Sequence, residues 1–86
     1  MFDSKKILTC RLKDYIDSRR KELSDYELVG VHKSSFGHYI KSFDAFRRVI
    51  PKEAEAVVDF RYTTITHQQN YLEQIMFGIA LVPKSD

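Results

Sequence analysis

Four side chains in this 86-residue sequence carry the donor atoms of soft metal sites: Cys10, His32, His38 and His67. Zinc sites announce themselves by short paired spacings such as Cys-x-x-Cys or His-x-x-x-His, which bring two ligands to one turn or one helix face. No such pair occurs, so the sequence predicts no metal centre and no cofactor. His38 falls in the first turn of a predicted helix and His67 in a polar loop, and both read as solvent-exposed. Cys10 is two residues from Leu8 and two from Leu12, about 200° from each around a helix, which sets it off the apolar stripe as a partly exposed, non-catalytic thiol.

Nucleophilic catalysis needs a Ser or Cys, a base and a group that orients the base. The sequence offers only the local cluster Ser34, Ser35 and His38, in which Ser35 serves better as a helix cap. The three glycines, Gly30, Gly37 and Gly78, lie too far apart to form a phosphate-cradling loop. No catalytic residue is assigned, and an enzyme is not favoured.

Charge gives a second class to weigh. The formal net charge of +2 is too small to imply a polyanionic partner by itself. Its distribution is uneven, however. Residues 1–50 hold eleven basic and seven acidic side chains, whereas residues 51–86 hold three and five. Lys5, Lys6, Arg11, Lys13, Arg19, Arg20 and Lys21 make the first predicted helix basic, with Lys6, Lys13, Arg19 and Arg20 as the candidate nucleic-acid face. Asp14, Asp17 and Glu22 interrupt that run with the i,i+4 relations of a solvated helix, and phosphate tracking needs a more concentrated surface. Nucleic acid is therefore the alternative partner, not the favoured one.

The elements that must position these groups follow from periodicity. Ser4 caps a predicted amphipathic helix over residues 4–23, with Leu8, Leu12, Tyr15, Ile16 and Leu23 at helical spacing. Ser24 and Asp25 end it. Tyr26 to Lys33 reads as a strand with Val29 and Val31 on one face and Leu28 on the other, hence buried on both. Ser34 and Ser35 cap a second helix with Phe36, Tyr39, Ile40, Phe43, Phe46 and Ile50 in one stripe, and Pro51 stops it at Val49 or Ile50. Two more strands follow. Val58, Phe60 and Tyr62 alternate with Asp59, Arg61 and Thr63, and Ile75, Phe77, Ile79 and Leu81 alternate with Met76, Gly78, Ala80 and Val82. His67, Gln68, Gln69 and Asn70 form the connection of an antiparallel hairpin.

The sequence thus predicts one α+β domain over residues 1–86, in the order α-β-α-β-β, with a basic helix over 1–24 and a β-α-β-β core over 26–82. A strand, a helix and a strand in one sheet imply a parallel pair, so a small mixed three-stranded sheet is expected. The sets led by Val58 and Ile75 should pack on the helices. That leaves Met76, Gly78, Ala80 and Val82 too apolar for water, to be covered by the first helix or by another subunit. So short a chain gains from oligomerising. Asp59, Arg61, Met76, Gly78 and Ala80 are the candidate subunit interface, with Asp59 and Arg61 available for an intersubunit ion pair. Tyr62, Tyr71 and Phe77 could line a boundary pocket, but aromatic residues at strand spacing more often serve as core. One cysteine, no apolar leader pattern and no apolar run of spanning length predict a cytoplasmic protein with no membrane partner.

The stretch Ala54 to Thr64 (Ala-Glu-Ala-Val-Val-Asp-Phe-Arg-Tyr-Thr-Thr), followed by Gln74 to Val82 (Gln-Ile-Met-Phe-Gly-Ile-Ala-Leu-Val), resembles the C-terminal hairpin of the YbjQ-like family. These small proteins are sometimes labelled heavy-metal-binding domains. The resemblance rests on the small-x-Ala-Val-Val opening, the aromatic-Arg-aromatic strand and the aromatic-Gly-x-Ala-x-Val close, about a third of the chain, and Tyr26 to Val31 extends it weakly. The family carries a longer helical insert and begins with a strand where this chain has a basic helix. The resemblance implies a compact β-α-β-β core assembling into rings, commonly pentameric. It carries over no catalytic or metal-binding residue.

Overall fold

A computed structural model describes residues 2–68 and 71–84; Gln69 and Asn70, expected in the hairpin connection, lie outside them, as do Met1, Ser85 and Asp86. The chain is an α+β fold of two helices and a three-stranded antiparallel sheet: α1 (Leu12–Ser18), β1 (Tyr26–Phe36), α2 (Tyr39–Val49), β2 (Ala56–Thr66) and β3 (Leu72–Pro83). The α-β-α-β-β order is as expected. The sheet is not mixed, because its strand order is β1-β3-β2. The hairpin strand β3 inserts between β1 and β2 and runs antiparallel to both, so the two strands joined by the α2 crossover never touch. Insertion gives the central place to β3, the most apolar strand, which needs cover on both faces and at both edges.

The basic helix over 4–23 is broken. Ser4–Lys6 is a 3-10 turn capped by Asp3, whose carboxylate accepts from the Lys5 amide at 3.0 Å. Residues 7–10 are extended along the outer edge of β2: Leu8 N–H donates to Val57 at 2.8 Å, Phe60 N–H to Leu8 at 3.0 Å and Asp59 N–H to Cys10 at 2.7 Å. Three sheet-type bonds at an otherwise bare edge outweigh the weak helix preference of Ile7, Thr9 and Cys10. α1 then stops at Ser18 rather than Leu23. Arg20 takes φ +55°, its amide reaches Asp17 at 3.1 Å and the Lys21 amide reaches Ile16 at 3.2 Å. This is a Schellman stop with an arginine where glycine usually sits, which is why no breaker was visible in the sequence.

β1 continues to Phe36 and absorbs Ser34 and Ser35, so neither caps α2; His38 is the N-cap and supplies no side-chain bond. α2 ends at Val49, ahead of Pro51 as expected.

A β-bulge decides which side chains share a face. Val58 pairs with Ile79 and Arg61 with Phe77, so Asp59 and Phe60 together oppose Gly78. Asp59 takes the extra turn at φ +56°. One added residue flips everything beyond it. Val58 faces α1, whereas Phe60 and Tyr62, expected beside it, face α2, where Phe60 meets Phe43 and Phe46 and Tyr62 meets Tyr39.

Each face therefore has its own core. Val31, Phe46, Ile50, Ala54, Val57, Met76 and Ala80 pack beneath α2, and Tyr15, Ile16, Tyr26, Ala56, Val58 and Leu81 pack against α1. The expected face assignment of β3 is thus corrected. Met76 and Ala80 have no exposed surface in a single chain, so they are core residues rather than a subunit interface. Gly78 sits in the same layer against the bulge: a Cβ there would stand 2.6 Å from Val57 Cγ1. Leu28 is 41% exposed, so β1 is not buried on both faces.

Among the described residues no helix is long and apolar enough to cross a membrane.

Candidate functional site

The helices do not reach the whole sheet. The molecule is 51 Å long and only 22 and 18 Å across, and α1 covers its face only near the Tyr26, Ala56 and Leu81 end. Beyond α1 the register sets Gly30, His32, Ser34 and Phe36 of β1 beside Ile79, Phe77, Ile75 and Glu73 of β3, with Arg61, Thr63 and Ile65 of β2 on the other flank. This distal face is mixed in character and partly apolar. Phe36 is 61% exposed and Ile65 40%. The Arg61 guanidinium lies 5.2 Å from the centre of the Phe77 ring, covering part of it. Arg61, one of the expected interface residues, is therefore on an open surface. Asp59 is not its neighbour in alternation, being half-buried at the bulge with its amide bound to Cys10.

A polar network closes the far end of this face. Glu73 accepts from the Ser34 hydroxyl through Oε2, and His67 Nε2 lies 2.9 Å from Glu73 Oε1. Those two hydrogen bonds, Ser34 first, hold the Glu73 carboxyl below its ordinary range. His67 also faces the Phe36 ring at 5.7 Å. The three residue types invite comparison with a hydrolytic triad, but the order is wrong for one: the carboxylate stands between serine and histidine, so the imidazole has no contact through which to take the serine proton. The arrangement ties the strand ends together. The cluster predicted from sequence, Ser34, Ser35 and His38, is dispersed instead, with the serines on opposite faces of β1 and His38 at the start of α2.

At the opposite end of the sheet the fold gathers positive charge that the sequence scatters. Phe2, Asp3, Lys6, Arg47, Arg48, Ile50, Lys52 and Ala54 line an open cleft of about 500 Å³. Of the candidate nucleic-acid face, Lys6 alone is there. Lys13 is on the exposed side of α1, Arg20 forms the Schellman stop, and the Arg19 guanidinium lies 5.2 Å from the centre of the Tyr15 ring. With the helix broken, these four do not share one helix face. The cleft could have been suspected from Arg47-Arg48 and Lys52, but nothing in the spacing placed them beside Lys6.

Two tyrosines and one carboxylate form a partly buried polar unit. Tyr15 and Tyr26 both donate to Glu55 Oε2, at 2.7 and 2.9 Å. Burial first, then the bond to Glu55, raises the Tyr15 phenol to about 12 and pushes Tyr26 up as well. The unit fastens α1 and β1 to the start of β2.

Tyr62 and Tyr71, expected as core, are 52% and 62% exposed. Cys10 is half-buried and unpaired with another thiol. Among the described residues no three His, Cys, Asp or Glu side chains converge in a way that could hold a metal ion. No family model, no curated protein and no solved structure matches this chain.

Proposed function

We propose that this protein is a non-catalytic binding module that works as a homo-oligomer, its subunits meeting through the distal half of the sheet. The observation that carries the reading is the open face of Phe36, Ile65, Ile75 and Phe77, which neither helix nor any other element among the described residues covers. Several features favour a second copy as the cover. The face carries a cation, Arg61, on its β2 flank and a carboxylate, Glu73, at the far end of its central strand, so both signs of charge are present on it. Both outer strands have unpaired length. β1 is an edge strand, and among the described residues the segment that caps β2 ends at Phe60, leaving Arg61 to Thr66 bare. β1 and β2 run in the same direction, so the bare edge of one copy can pair with the other edge of the next, the head-to-tail contact from which rings close. The resemblance to the YbjQ-like family, a family of rings, supports the same reading.

Sedimentation equilibrium tests it. An assembly dissociating when Phe36 and Ile65 are both replaced by charged residues is expected, and a 10.1 kDa species at every working concentration overturns it.

A further inference from the structure

We propose that the cleft between the N-terminal segment and the end of α2 binds a phosphate monoester, taking the dianionic phosphate on its cationic rim and an apolar group on its floor. The cations come from three segments: Lys6 from the 3-10 turn, Arg47 and Arg48 from the last turn of α2, and Lys52 from the connection to β2. Part of this charge serves the helix, since cations in a last turn complement its dipole. That accounts for Arg47 and Arg48. It does not account for Lys6 and Lys52, which lie on neither helix yet border the same cleft.

Arg47 is the fixed member. Its Nε donates to the Phe2 carbonyl at 2.6 Å and its Nη1 lies 3.4 Å from Asp44 Oδ1, so the guanidinium is held between the N-terminal segment and α2, with further N–H groups that bond none of the described residues. Lys6, Arg48 and Lys52 are exposed and make no ion pair with the described residues. Against these four cations the lining carries one carboxylate, Asp3, one oxygen of which caps the Lys5 amide. Even with Asp3 in the lining and Asp44 paired to Arg47, the four cations leave an excess of two positive charges, which favours a dianionic ligand group, and arginine's planar fork suits phosphate. The floor selects what the phosphate is attached to. Ile50 and Ala54 are buried and Phe2 is half-buried, giving an apolar base, and a volume of about 500 Å³ suits a small molecule rather than a polymer. The cleft lies within one chain, at the opposite end of the sheet from the face assigned to self-association, so neither reading depends on the other.

Amide chemical shifts of the labelled full chain, titrated at constant ionic strength with phenyl phosphate and with inorganic phosphate, test this. Saturable shifts confined to residues 2–6 and 47–54 are expected, with phenyl phosphate the tighter of the two. R48Q and K52Q, both at exposed positions, should each weaken binding by about tenfold, as loss of one charge-assisted contact would. K13Q, on α1, should leave it unchanged. Co-sedimentation with phosphatidylcholine vesicles containing phosphatidic acid tells the two sources of a monoester apart: K52Q-sensitive binding assigns a lipid headgroup, and binding of phenyl phosphate alone assigns a soluble ester. The proposal is overturned by shifts that follow ionic strength whatever the anion, by equal losses in K13Q and R48Q, or by a single-stranded oligonucleotide that shifts amides outside the cleft while phenyl phosphate shifts none.

Discussion

Tyr15 on α1 and Glu55 ahead of β2 are forty residues apart in sequence and 2.7 Å apart in space, with the Tyr15 hydroxyl donating to a carboxylate oxygen that Tyr26 also uses. The bond favours the neutral phenol in the folded state. Stability from this unit is therefore complete below the ordinary tyrosine value of 10 and is lost as pH rises toward about 12, where Tyr15 titrates. Absorbance titration should show part of the five-tyrosine signal delayed beyond pH 10, and the thermal midpoint should fall as pH rises above 10. Tyr15→Phe with Tyr26→Phe should reduce the delayed part to the contribution of Tyr39, whose phenol is also pushed up by burial; a single tyrosine transition in the unsubstituted chain would contradict the geometry.

Glycine at position 78 is required by the bulge. In Gly78→Ala the new methyl would meet Val57 Cγ1 at 2.6 Å and the Val58 carbonyl oxygen at 3.2 Å, so the fully buried Val57 side chain or the bulge backbone would have to shift. A loss of about 1–3 kcal/mol in denaturant unfolding is expected from overpacking of this kind. Val57→Ala should be partly compensatory in the double variant, which a double-mutant cycle measures.

Arg20 occupies a backbone conformation that glycine adopts freely. Arg20→Gly should raise stability by about 1 kcal/mol, because the left-handed geometry of the Schellman stop no longer strains a Cβ. Denaturant melts check it, and a fall in stability would mean that the Arg20 side chain contributes more than its backbone costs.

Ser42 lies on the buried side of α2 at 1% exposure, and its hydroxyl has no hydrogen-bond partner among the described residues. An unpaired buried hydroxyl costs free energy, and alanine is the better helix former. Ser42→Ala is expected to stabilise the fold by about 1 kcal/mol, read as a shift of the unfolding midpoint without a change in slope.

Self-association through the distal face predicts that Phe36→Asp with Ile65→Lys shifts sedimentation toward the monomer while the near-ultraviolet circular dichroism of the fold persists. Both positions are at least 40% exposed, so the exchange should cost the single chain little. Unchanged mass would place any interface elsewhere.

Periodicity alone determined a good deal of this protein. The aromatic stripe of α2 from Tyr39 to Phe46, the stop before Pro51 and the alternation in the two hairpin strands are local properties, written in side chains three, four or two residues apart. The α+β class and element order follow from them. What tertiary structure decided was everything that depends on comparing distant segments. Residues 7–10 leave a helical pattern because the edge of β2 offers them backbone partners. β3 enters between β1 and β2 because the most apolar strand gains most from central burial. Phe60 changes face because one residue at Asp59 is looped out opposite Gly78, and no pattern of period two can announce its own interruption. The functional surfaces share this origin. Lys6, Arg48 and Lys52 become neighbours, and Met76 and Ala80 become core, only once the faces of the sheet have been allotted, an allotment fixed by competition for burial across the whole chain rather than by any residue's own preference.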